Sequence, residues 1–175
     1  MAPGSPQQFA PGVAPGPVAG ERANFGIRLG GYLLDGLLYG LLSLVFIVPG
    51  ALLIGLAYDD CVSFDDEIFC PPGAPNVGMI VGGILLILAG LLIVFAIYVR
   101  AIANSGQTWG RKIVGIKVVG EMTGEPIGTG KALGRTLFAG FISANVFYLG
   151  YLWMIWDDKR QTWHDKVVDS VVIKV

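Results

Sequence analysis

The chain has 175 residues, of which 54% are hydrophobic and only 14% charged, with a net charge of -1 at pH 7. Soluble domains carry roughly 25% charged residues, so this composition, with a mean hydropathy of +0.66, predicts an α-helical integral membrane protein. A balance so near neutrality supplies no electrostatic case for nucleic acid, and the expected partner is the lipid bilayer.

Met1 to Gly20 is dominated by Pro, Gly and Ala. Such a stretch has too little to bury to offset the entropy of ordering, so residues 1–22 are expected to form a disordered tail. A proline-rich ligand for a partner domain is the alternative, but no P-x-x-P here is flanked by basic residues. The first twenty residues hold neither a positive charge beyond the amino terminus nor an apolar run, so no secretory signal peptide is expected. Residues 23–175 are read as one membrane domain.

Two long apolar runs follow. The first predicts a span over about 27–56, interrupted by Arg28, Asp35 and Pro49; the second predicts a span over about 77–99, ending at Arg100. Both exceed the roughly 20 helical residues that cross a hydrocarbon core. Gly36 with Gly40, and Gly78 with Gly82, have the four-residue spacing that lets helices approach closely, which predicts tight packing of the spans or self-association into a homo-oligomer.

Between the runs lie Asp59, Asp60, Asp65, Asp66 and Glu67 with no base, whereas Arg100, Arg111, Lys112, Lys117, Lys131 and Arg135 follow the second run. Basic segments stay cytoplasmic. The expected topology is therefore that of a multi-pass membrane protein with the N-terminus inside and the acidic loop outside. The only cysteines, Cys61 and Cys70, both fall in that loop, and a disulfide across it is the preferred reading. A metal site is the rival, but two cysteines without histidine make an incomplete zinc set.

The C-terminal third predicts two strands, over 112–119 and 167–175, both rich in β-branched residues and able to pair. The apolar segment between them, 131–156, is as long as one span but carries Arg135 near its start and Ser143-Ala144-Asn145 at its centre. Two halves of a dozen residues reach only about 18 Å each, which predicts a re-entrant or interfacial segment; a third full span is the alternative. Tyr148, Tyr151, Trp153, Trp156 and Trp163 suit headgroup depth, or ordinary packing against the other helices.

Arg28 and Asp35 are two helical turns apart, so they share a face about 10 Å apart along the axis without direct contact. A carboxylate inside a span must face protein or water, find a partner or take up a proton, which makes Asp35 the first candidate for function; pairing with Arg28 across a water, or with Arg111 or Arg135, is the structural alternative. Gln-Thr-Trp occurs twice, in Gly106–Lys112 and in Lys159–Lys166, each time followed by bases, which suggests two similar interfacial elements. His164 beside Asp165 could handle protons, although adjacent residues seldom face one another. No nucleophile elbow, phosphate loop or paired metal-ligand motif is present, so no enzyme, cofactor or metal is expected.

With Arg28 and Asp35 in the first run, Gly106-Gln107-Thr108-Trp109-Gly110-Arg111-Lys112 after the second, and Asp157-x-x-Arg160-Gln161-Thr162-x-His164-Asp165 near the end, the chain resembles the RDD family over about 23–175. The resemblance implies a protein of the bacterial plasma (inner) membrane, from a family named for one arginine and two aspartates. Arg28 and Asp35 match the first two, and Asp165, ahead of Asp157, matches the third. It also implies a transport-related or cation/proton-coupled role, here centred on Asp35. The rival is a non-transport adaptor or assembly protein in which these residues fix helix packing, with Arg111, Arg135, Asp157 and His164 as further members of a polar cluster.

Overall fold

The computed structural model describes residues 18, 20–65, 67–143 and 145–175; most of the expected N-terminal tail lies outside them. The order of elements is α1 (Phe25–Leu56), β1 (Val62–Phe64), β2 (Glu67–Phe69), α2 (Val77–Ser105), α3 (Trp109–Ile113), β3 (Ile116–Gly120), α4 (Gly128–Phe138), α5 (Leu149–Leu152), α6 (Trp163–Val167) and β4 (Ser170–Lys174). A π-helical turn, Ala139–Ser143, follows α4, and a 3-10 turn, Trp153–Ile155, follows α5.

Helices α1 and α2, 32 and 29 residues long, are the two elements long and apolar enough to cross a membrane. Each is capped by an asparagine whose side chain accepts from the backbone, Asn24 from Ile27 and Asn76 from Met79. Both outrun the expected spans. Beyond Arg100, Ala101–Ser105 continues α2 until Gly106, at φ 70°, ends it in the left-handed conformation glycine tolerates. The apolar residues of both helices mostly face outward: Leu33 is 67% exposed and Leu92 68%. An apolar surface of that extent marks a face that meets a membrane or another protein. The inward stripe of α1 is narrow and partly polar, comprising Arg28, Gly31, Asp35, Tyr39 and Gly50.

The two helices cross through glycines other than the expected pairs. A Cβ on Gly83 would lie 2.5 Å from the Gly50 carbonyl oxygen, and one on Gly90 would lie 2.2 Å from Phe46 Cβ. By contrast, a Cβ on Gly36, Gly40 or Gly82 would meet nothing within 4 Å, and one on Gly78 only the cap Asn76. Four-residue spacing reports which residues share a face and not which face is covered.

The expected strands do pair, but they are shorter than predicted. β3 and β4 run antiparallel from Ile116 opposite Lys174 to Gly120 opposite Ser170. Lys112–Ile113 closes α3 and Val167 closes α6, because β-branched residues also fit the last turn of a short helix. The segment leading into α1 lines the far edge of β4: Ala23 N–H donates to Val172 O at 3.0 Å and Lys174 N–H to Glu21 O at 2.9 Å. The buried core therefore lies where α1 and α2 meet this sheet, around Ala23, Val99, Ile102, Ile116, Val118, Ala132 and Val172.

The apolar segment 131–156 is broken as its polar centre predicts. α4 begins three residues early, at Gly128, and the chain reverses through Phe147 and Tyr148, both at positive φ. At the far end of the long helices, Cys61 and Cys70 form a disulfide across the β1–β2 hairpin. Gly83→Val should destabilise the protein by about 1–3 kcal/mol through overpacking, seen as a lowered melting temperature in detergent micelles. Gly36→Ala should leave it unchanged or raised.

Candidate functional site: a buried cluster of arginines and aspartates

Arg28 occupies the first turn of α1, and the backbone pairing of Glu21–Ala23 with β4 fixes where that turn starts. All three of its side-chain nitrogens donate inward: Nη1 to Asp165 Oδ2 at 2.7 Å, Nη2 to the Arg160 carbonyl at 2.7 Å and Nε to the Ala23 carbonyl at 3.3 Å. Arg135, from α4, meets the other oxygen of the same carboxylate, with Nη2 at 2.7 Å and Nε at 2.9 Å from Asp165 Oδ1. Ser170 Oγ donates to Oδ1 at 3.2 Å and Thr162 N–H to Oδ2 at 3.3 Å. One buried carboxylate thus ties α1, α4, α6 and the first residue of β4. Burial opposes its charge, but the guanidiniums of Arg135 and Arg28 outweigh that and hold Asp165 well below the usual carboxylate range.

Asp35, two turns along α1, pairs with no arginine. Its Oδ2 accepts from the Thr108 hydroxyl, and its Oδ1 from Gly110 N–H at 2.7 Å. Thr108 and Gly110 are the cap and second residue of α3, so the carboxylate closes the N-terminus of that helix as a capping side chain would. The approach is close enough to demand glycine: a Cβ on Gly110 would lie 2.6 Å from both the Gly31 carbonyl oxygen and the Asp35 nitrogen. Trp109 stacks on Tyr39 at 4.8 Å between ring centroids, which fixes α3 along α1.

Arg111 turns inward from α3 and is 2% exposed. Its guanidinium lies 5.3 Å from the ring centre of Tyr32 and 5.8 Å from that of Tyr98, and Nη2 donates to the Tyr98 hydroxyl at 3.2 Å. His164 is fully buried between the Tyr32 hydroxyl, 3.2 Å from Nε2, and Ser143 Oγ, 3.4 Å from Nδ1. Burial, aided by Arg135, pushes His164 down to about 3, so the imidazole is neutral. Asp157 lies apart, accepting from Gln161 N–H at 2.9 Å and paired with Lys166.

The structure therefore brings Arg28, Asp35, Arg111, Arg135, His164 and Asp165 into one buried region and leaves Asp157 outside it. Residue reading missed Thr108, Gly110, Tyr32, Tyr98, Ser143 and Ser170. The repeated Gln-Thr-Trp was the available signal, and it extends further than three residues. At a constant offset of 54, Gly106–Gly120 and Arg160–Lys174 each run left-handed residue, Gln-Thr-Trp, five-residue helix, left-handed residue, strand. The left-handed positions correspond, Gly106 with Arg160 and Gly115 with Asp169. So do the glutamine bonds, Gln107 Nε2 to Ile116 O at 3.1 Å and Gln161 Nε2 to Ser170 O at 3.0 Å. Val118 opposite Val172 is the pair such a repeat maps onto itself, so a local two-fold axis passes through the sheet there.

Two helices of membrane-spanning length and apolarity, fastened to a small sheet through buried Arg–Asp interactions, define a helical protein of a membrane-associated class. The chain belongs to the RDD family, whose profile matches residues 22–169. Among its relatives, the proline-rich antigen homolog of Mycobacterium tuberculosis is 31% identical over 139 residues, covering 73% of this chain and 57% of that protein. The proline-rich antigen of Mycobacterium leprae is 30% identical over 116 residues, covering 66% of this chain and 46% of that protein. This chain thus spans about half the length of those mycobacterial proteins. The uncharacterized protein YxaI of Bacillus subtilis is 26% identical over 155 residues, covering 86% of this chain and 96% of that protein. No solved structure matches the chain.

Asp165→Asn leaves two guanidiniums around a neutral amide and should cost about 3–5 kcal/mol. Asp157→Asn, at the more open Lys166 pair, should cost no more than about 1 kcal/mol; denaturation of both variants in one detergent checks the difference. The depressed His164 makes a separate prediction. The unfolded chain takes up a proton near 6.5 that the folded chain refuses until about 3, so stability should fall as pH drops through that window. His164→Gln should flatten the slope between pH 6.5 and 4, leaving the acid limb of Asp165 at lower pH.

Proposed function

We propose that this chain is a non-catalytic scaffold or assembly protein of a bacterial plasma membrane, in which the family's arginine and aspartates hold a cytoplasmic sheet against the spanning helices. The observation that carries this reading is that both oxygens of each buried carboxylate accept hydrogen bonds from fixed donors. Asp165 accepts from two guanidiniums, a backbone N–H and a hydroxyl, and Asp35 from a hydroxyl and a backbone N–H. Each is held by fixed donors from neighbouring elements, the arrangement of a structural clamp rather than of an acid that loads and releases a cation or proton.

Topology enters the same proposal. The acidic, disulfide-closed hairpin lies outside, and the N-terminus and the basic segment after α2 lie inside. The pairing of β3 with β4 supports a segment that dips and returns, since it holds both ends of residues 121–169 beside one sheet. The 11 residues of α4 would reach about 17 Å, well short of the roughly 30 Å core. Such a protein would hold its sheet and N-terminal arm at the cytoplasmic face for a partner or a second copy.

Cation/proton-coupled transport is the second reading, favoured by the burial of Asp35 within α1, 4% exposed. It requires Asp35 to give up Thr108 and Gly110 in each cycle. In proteoliposomes carrying a sodium or potassium gradient, the scaffold reading expects no proton flux above empty vesicles, and expects Asp35→Asn to lower thermal stability. Flux in the wild type that Asp35→Asn abolishes would overturn it. A C-terminal fusion should be active as a cytoplasmic reporter and silent as an external one.

A further inference from the structure

The buried charges do not balance. Arg28, Arg111 and Arg135 are each no more than 3% exposed, and facing them are Asp35 and Asp165, at 4% and 0%. Three guanidiniums meet two carboxylates, leaving an excess of one positive charge. Arginine does not relieve such an excess by deprotonating, and the neutral imidazole of His164 adds nothing to either side.

The unpaired cation can be located. Arg28 and Arg135 share Asp165, while Arg111 forms no ion pair among the described residues. Asp35 favours its charge through space but makes no ion pair with it, because both oxygens of that carboxylate face Thr108 and Gly110. Outside the cluster, Glu121 is paired with Lys159 and Asp157 with Lys166. Arg111 offers Nη2 to Tyr98, but its Nη1 is buried without an acceptor. The Tyr39 hydroxyl, on a ring packed edge-on to Tyr98 at 5.2 Å, is also buried without a partner. The guanidinium nitrogen can only donate and the tyrosine hydroxyl is free to donate, and a buried guanidinium flanked by aromatic rings and in no ion pair has the chemistry of an anion seat.

We infer that Arg111 holds one singly charged anion inside the cluster, a halide-sized ion or the phosphodiester of a lipid headgroup. This stands apart from the scaffold reading, since the anion would neutralise the cluster whatever the protein assembles or carries. A cation site is disfavoured by the same sum, because a further positive charge would double the excess.

The test uses the full chain purified in a neutral, lipid-free detergent. At constant ionic strength, replacing gluconate by chloride or bromide should raise the melting temperature by several degrees and saturate with concentration. Stabilisation appearing only when phosphatidylglycerol, and not phosphatidylcholine, is returned in nanodiscs identifies the headgroup as the source. Arg111→Gln, which keeps a donor but removes the charge, should abolish the dependence. Should that variant fail to fold, radiolabelled chloride and phosphatidylglycerol binding to the wild type should reach one equivalent per chain for one of the two. Absence of binding and stabilisation by both, or an unchanged dependence in a folded Arg111→Gln, would overturn the inference.

Discussion

The carboxylate of Asp165, gripped by guanidiniums from two other elements, is the interaction on which the rest of the arrangement depends. Neither arginine is near Asp165 in sequence: Arg28 is 137 residues away and Arg135 is 30. The bridge therefore closes the chain on itself, joining the start of α1 to the region just before the last strand. Desolvating three charged groups is costly, and the cost is recovered only when the geometry satisfies them together. Fixed donors from Thr162 and Ser170 complete that geometry, and both come from the turn-and-strand unit that also supplies the aspartate.

Asp35 solves a different problem with the same chemistry. The short helix α3 must lie against α1 where its first amides would face protein instead of water, and a helix N-terminus carries partial positive charge. Lending it the carboxylate of Asp35 satisfies the amide and the acid at once. Glycines at 31 and 110 bring the two backbones near enough for this. The arginine and aspartate of α1 act side by side, each reaching a different partner.

Much of the fold could be read from residue order. The two long helices followed from uninterrupted apolarity, the strand pair from runs of valine and isoleucine, and the break in the third apolar segment from polar residues at its centre. Element ends were less legible, since valine and isoleucine closing α3 and α6 look like strand. The glycine pairs did not mark the contact between α1 and α2, because spacing encodes a shared face and carries no information about what lies opposite. In the site, Arg28, Asp35 and Arg135 stood out because charge is conspicuous among apolar neighbours, and Asp165 through the resemblance to the RDD family. Thr108, Ser143 and Ser170 did not, being ordinary residues whose role exists only once distant segments are folded together. The assignment of Arg28 to Asp165 and of Asp35 to α3 is likewise a property of the packing.

The two Gln-Thr-Trp units share a backbone trajectory, left-handed positions and a glutamine tether, yet at the third helical position one carries Arg111 and the other Asp165. Opposite charges on a common frame make each unit the internal reference for the other. A substitution in the frame, such as Gln107 against Gln161, reports on the scaffold in duplicate. A substitution at the charged position reports on what distinguishes the halves. A single chain thus contains both the experiment and its control, written 54 residues apart.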